Sequence, residues 1–115
     1  MLLPRVMATR VMILKNPDMR IINQGRLADF AFIHADSVKA LNKWAETLTN
    51  ANFKQPHDLL REFPSADYVG NDRYVFDIKG NKYRIIAVVV FTGGIVDIRF
   101  VGTHAEYSKI NSKTI

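Results

Sequence analysis

The chain contains no cysteine, which excludes a disulfide scaffold and any zinc site built on thiolates. No apolar run reaches membrane-spanning length. The opening from Met1 to Met12 is mildly apolar and basic, but it lacks the continuous apolar core of a signal peptide. Histidine is scarce, at three residues, and neither the histidines nor the carboxylates cluster as metal ligands do. No metal or other cofactor is therefore expected. Internal repeats, low-complexity tracts and a linker long enough to divide domains are also missing. With 115 residues, one domain with a modest core is the expectation. Nothing calls for an oxidising compartment or a membrane, so the cytoplasm is the expected location.

What is present is positive charge. Sixteen lysines and arginines against eleven carboxylates give a net charge of +5, which favours an acidic partner. Placement makes the charge informative. Arg73 to Lys79 alternates apolar and polar residues like a half-buried strand, and Gly80-Asn81 signals a two-residue hairpin. Such a turn pairs Asp77 with Arg84, Val75 with Ile86 and Arg73 with Val88. A second two-residue turn at Gly93-Gly94 would pair Thr92 with Ile95, Val88 with Arg99 and Arg84 with Thr103. One face then collects Tyr74, Phe76, Ile78, Tyr83, Ile85, Ala87, Val89, Phe91, Val96, Ile98 and Phe100, which must be core. The opposite face carries Arg73, Asp77, Lys79, Lys82, Arg84, Asp97 and Arg99, with Val75, Ile86, Val88 and Val90 between them. That face suits a polyanion.

The rest of the chain supplies helices to cover the apolar face. Residues 1–18 read as an N-terminal extension, either a loose tail or an over-called start, broken from the domain at Pro17-Asp18. Residues 19–115 form the single domain, which opens on a short strand from Met19 to Asn23. A helix over Arg26 to His34 aligns Leu27, Phe30 and Ala31. Asp36 is the expected N-cap of a second helix carrying Val38, Leu41, Trp44, Ala45 and Leu48. Trp44 and Phe30 are assigned to the core, and His34 and His57 to surface or boundary positions. Pro56 to Phe63 makes one or two further turns. The predicted fold class is α+β: an N-terminal strand and helical hairpin packed on one face of a small antiparallel sheet, closed by a short C-terminal helix. That last helix begins at Thr103-His104-Ala105-Glu106, where Thr103 and Glu106 match a capping box.

Two segments carry a family resemblance. Tyr74 to Ala87, with its Gly-Asn-x-x-Arg hairpin, and Ile98 to Tyr107, with Thr-His-x-Glu-Tyr, closely resemble the HigB family of type II toxins within the RelE superfamily. The resemblance covers most of Met19 to Ile110. It implies a RelE-like fold and a ribosome-dependent mRNA endonuclease, neutralised by a helix-turn-helix antitoxin of the HigA kind. Two positions depart from the family pattern: Asp77 replaces a usual asparagine, and Ser108 stands where aspartate is common. A carboxylate at 77 would pair with Arg84 and soften its charge toward phosphate.

The residues by themselves leave two readings of the basic face, phosphate binding or a solvated surface of cross-strand ion pairs. The resemblance favours the first. Arg84 and Arg99 are then the catalytic cations, since strand-borne guanidiniums fork onto phosphate oxygens and stabilise charge gained in a pentacoordinate state. His104 is the candidate general base, and Tyr107, one turn along, stacks on a base or donates a hydrogen bond. Arg73 is placed to share a phosphate, while Lys79 and Lys82 steer RNA. The expected reaction is attack of the RNA 2′-hydroxyl on the adjacent phosphate, leaving a cyclic phosphate and a 5′-hydroxyl, without a metal. Two alternatives remain open: a non-enzymatic inhibitor on the same scaffold, like relatives that poison gyrase, or an RNA-binding module whose catalysis has decayed through Asp77.

Overall fold

A computed structural model describes residues 19–115, so the extension expected at 1–18 lies outside the described residues. In chain order the elements are β1 (Arg20–Ile22), α1 (Gly25–Ile33), a single 3-10 turn (Ala35–Ser37), α2 (Val38–Thr49), α3 (Pro56–Glu62), β2 (Asp67–Gly70), β3 (Arg73–Ile78), β4 (Tyr83–Val90), β5 (Ile95–Thr103) and α4 (His104–Tyr107). The strands form one sheet in the order β1-β5-β4-β3-β2. The fold is α+β with helices on one sheet face, as expected. Two features go beyond that expectation. A further strand, β2, pairs with β3, and β1 joins the sheet parallel to β5 instead of lying over it.

The helices follow their apolar periodicity. Leu41, Trp44 and Leu48 of α2 are buried at helical spacing, and Trp44 meets Phe76 of β3 edge-on at 5.3 Å. Phe30 of α1 is likewise buried against Tyr83, with ring centroids 5.0 Å apart. Leu48, Leu59, Ile85 and Ile98 are wholly removed from solvent. Truncating any one of them to alanine is expected to cost about 2–5 kcal/mol. His34 takes the boundary position expected, half-buried, with its ring stacked on Phe30 at 4.3 Å.

Asp36 does not cap α2. The 3-10 turn intervenes, and Ser37, which precedes the helix, makes no side-chain cap. The Asp36 carboxylate instead reaches the first hairpin, accepting from Lys82 Nζ and from the Tyr83 hydroxyl, each at 2.6 Å. The Lys82 bond, and then the Tyr83 bond, hold its pKa down to about 2. A tertiary latch has won over local capping.

The two hairpins behave differently. In the first, Asp77 pairs Arg84, Val75 pairs Ile86 and Arg73 pairs Val88, as the two-residue turn predicts. Lys82 N donates to the Lys79 carbonyl at 3.2 Å, and Gly80 supplies the positive φ that the turn demands. In the second, Val90 pairs Ile95 and Gly94 N donates to the Phe91 carbonyl at 3.3 Å, so a turn of the same length sits one residue earlier, on Thr92-Gly93, and Val88 faces Asp97 instead of Arg99. Phe91 packs edge-on against Tyr74, and Gly94 takes the left-handed conformation that closes the turn.

Further along β5 a bulge intervenes: Ala87 pairs Ile98, yet Ile86 pairs Phe100. The extra residue is Arg99. Beyond it the alternation reverses, so Arg84 faces Gly102, not Thr103, and Val101 faces the core in place of Phe100. Arg99 itself avoids the core and stays on the polar side, within reach of Asp97.

The polar face is also less open than alternation implies. Val75 and Ile86 belong to it but are buried. The segment after α4 is tied down on this side, where Asn71 Nδ2 donates to the Lys113 carbonyl and the Arg73 guanidinium donates to the Ile115 main-chain oxygen.

Candidate functional site

The site is best built outward from Arg84. Its position on β4 directs it to the polar face, between Asp77 on β3 and Gly102 on β5. Arg84 Nε lies 2.9 Å from Asp77 Oδ1, and Nη2 donates to Asn81 Oδ1 at 2.6 Å. The Tyr107 ring covers the guanidinium at 4.8 Å from its centroid. Held by a carboxylate, an amide and a ring, this cation has little freedom left.

Tyr107 reaches Arg84 because α4 starts directly at the end of β5. Thr103 Oγ1 accepts from Glu106 N at 3.1 Å, while Glu106 Oε1 accepts from Thr103 N at 2.8 Å, a complete capping box. His104, the first residue of this helix, is exposed, and its ring lies 6.5 Å from that of Tyr107. Arg84, Tyr107 and His104 are thus brought into one cluster. Anionic and proton-transfer chemistry can meet there.

The other candidates lie apart. Arg99, in the bulge three residues before Gly102, is roughly 10 Å of strand away from the Arg84 level. Its partner is Asp97 at 3.3 Å, and Asp97 also accepts from Asn23 at 2.6 Å. Arg73 occupies its expected place opposite Val88, but its guanidinium is engaged by the Ile115 and Asn71 carbonyls. Lys82 is bound to Asp36, and that carboxylate raises its pKa further. Lys79 is exposed, with a backbone φ of +54° that turns it out at the hairpin tip. Two residues expected to have other roles join the site: Asn81, read as a turn residue, holds Arg84, and Phe100, read as core, is turned onto this face by the bulge. An isolated glycine in a strand, Gly102, was the available signal for the bulge.

Among the described residues, no group of three or more His, Asp or Glu is arranged to hold a metal ion. No helix among them is long and apolar enough to cross a membrane.

A five-stranded α+β sheet with helices on its apolar face and a short closing helix beside a clustered arginine is a RelE-like arrangement. Residues 37–110 match the HigB toxin family, described as the RelE-like toxic component of a toxin-antitoxin system. The mRNA interferase toxin HigB of Escherichia coli strain K12 is 36% identical over 92 residues, covering 77% of this chain and 88% of that protein. The mRNA interferase HigB of Shigella flexneri shows the same identity and coverage. That of Escherichia coli O6:H1 is 28% identical over 94 residues, covering 80% of this chain and 91% of its own. The chain belongs to the HigB toxin family, and such membership implies an antitoxin partner.

Proposed function

We propose that this toxin is an endoribonuclease that cleaves mRNA at the Arg84 cluster. The observation that carries the reading is a guanidinium fixed on three sides beside an exposed imidazole and a phenol. Relatives named mRNA interferases over most of the chain support it. In the reaction the 2′-oxygen bonds to phosphorus as the bond from phosphorus to the 5′-oxygen breaks. His104 takes the proton of the 2′-hydroxyl, and the Tyr107 hydroxyl gives one to the departing 5′-oxygen. Arg84 stabilises the charge gained at phosphorus, and a preorganised cation does this without reorganising during the step. The products are a cyclic phosphate and a 5′-hydroxyl end.

Arg99 and Lys79 hold neighbouring phosphates. Arg84 is largely covered by its own partners, so the message must be presented to the cluster from outside. A translating ribosome presents it, and a helix-turn-helix antitoxin of the HigA kind prevents this. The test is cleavage of a reporter message in cells, with and without translation, and chemical analysis of the ends. Translation-dependent cuts bearing cyclic phosphate support the proposal, whereas metal-dependent cuts of free RNA leaving 5′-phosphates contradict it.

One observation favours a second reading. Asp77, 2.9 Å from Arg84, draws the cation away from phosphate, as in a module that binds RNA without cutting it. Binding with no new ends in the message would select that reading. A DNA-damage response without RNA cleavage would point to a gyrase-directed inhibitor.

A further inference from the structure

The bulge at Arg99 places an aromatic ring where strand alternation would have buried it. Phe100 pairs with Ile86 on the polar face and is only partly covered. Its ring lies over Gly102: a Cβ added there would meet Phe100 Cζ at 2.5 Å and Glu106 Oε1 at 2.8 Å. Gly102 is the cross-strand neighbour of Arg84, and paired Cα atoms are about 5 Å apart. The ring is therefore contiguous with the Arg84 cluster.

On its other side Phe100 lines a groove of about 430 Å³ between β5 and α1. β1 stops pairing at Asp97, which leaves this part of the β5 edge facing α1. Arg26, Asp29 and Ile33 from α1 and Arg99 and Phe100 from β5 form much of its lining. Ile33 is 75% exposed there. Arg26 and Arg99 supply guanidinium donors there, beside Asp29 and with Asp97 as the partner of Arg99, and the groove's volume falls within the roughly 300–1,000 Å³ of small-molecule sites. An apolar π-face with flanking cations suits one nucleotide, its base on the ring and its phosphate toward Arg99.

We infer that Phe100 is a specificity-determining residue whose ring and adjoining groove receive the nucleobase next to the phosphate held by Arg84. This rests on the ribonuclease reading above. Gly102 is part of the device, because any side chain there displaces the ring.

The test maps new 5′ ends on one translated reporter message in cells expressing wild type, Phe100→Leu, Phe100→Tyr or Gly102→Ala, with a thermal melt of each purified protein. Phe100→Leu keeps apolar bulk but has no π-face. Its cleavage is expected to fall roughly five- to a hundredfold, the range spanned by loss of one base stack, and base preference beside the cuts should flatten. Phe100→Tyr should retain both rate and preference. Gly102→Ala, which drives a methyl group into the ring, should shift the preference as Phe100→Leu does, and it decides the matter if the leucine variant does not fold. Cutting by folded Phe100→Leu or Gly102→Ala protein at wild-type positions and rates, beside an active wild type, overturns the role of Phe100 alone. A wild type that cuts no message overturns the ribonuclease reading, and this inference with it.

Discussion

Arg84 and Arg99 lie on the same sheet face and are held in opposite ways. The Arg84 side chain is 15% exposed and meets a carboxylate, an amide oxygen and an aromatic ring. Arg99 sits in a bulge, 38% exposed, with one carboxylate at 3.3 Å. A fixed cation can stabilise charge that develops in one place for an instant. A loosely held one attracts phosphate without defining where it stops. In the proposed reaction, the difference fits chemistry at the Arg84 end of the face and tracking of the strand at the Arg99 end.

Substitutions can break or sharpen that contrast. The largest effect is expected from Arg84→Ala, whose loss should be on the order of 3 kcal/mol, about a hundredfold in cleavage rate. Arg84→Lys should rescue little, because one ammonium cannot replace the fork that engages Asn81 and phosphate together. Single-turnover cleavage of one message measures both. His104→Ala should follow, with a loss of about ten- to a hundredfold that is weaker at high pH, where hydroxide replaces the base. A pH–rate profile separates this role from a structural one.

Asp77→Asn should leave the rate unchanged or raise it severalfold, because it frees Arg84 of its counter-charge. A fall in rate would mean that the carboxylate positions Arg84 productively.

The smallest effect lies outside the chemistry, in the latch between Asp36, Lys82 and Tyr83. Asp36 has its pKa lowered from 3.8 to about 2, so its stabilising contribution is complete above about pH 4 and lost as pH falls through 2. The Tm gap between wild type and Asp36→Asn should accordingly be constant near neutrality and close over that acidic window. Lys82→Ala should resemble Asp36→Asn in Tm, whereas Lys79→Ala, whose charge acts on Asp36 only weakly and from a distance, should act mainly on RNA association.

Period-two alternation was enough to read the first hairpin, because Gly80-Asn81 leaves one economical turn and every aromatic residue of the hairpin then falls on one side. It failed in the second for two local reasons. The turn could sit on Thr92-Gly93 or on Gly93-Gly94, and moving it by one residue shifts every cross-strand partner by two, a change that preserves the phase and so leaves no mark in the pattern. The adjacent pair Phe100-Val101 could present either member to the core, and only the crowded Gly102 hinted which one. The Asp36 capping signal was genuine but local, and partners 46 and 47 residues away outbid it. His104 and Tyr107 were legible because the capping box determines where α4 starts, and so which way its first turn points. The Arg73 tether to Ile115 joins residues 42 apart through main-chain oxygen, which no side-chain pattern announces.

The most direct measurement is the salt dependence of cleavage for Arg84→Ala and Arg99→Ala, side by side with wild type on one message. The contrast between the two arginines predicts that Arg84→Ala is slowed by a nearly constant factor at every salt concentration. Arg99→Ala should be slowed less than Arg84→Ala, and most at low salt, its deficit shrinking as salt rises because its salt slope is about one phosphate contact shallower than that of wild type. Equal losses with equal salt slopes, or wild-type cleavage by folded Arg84→Ala protein, would contradict the assignment of catalysis to the Arg84 end.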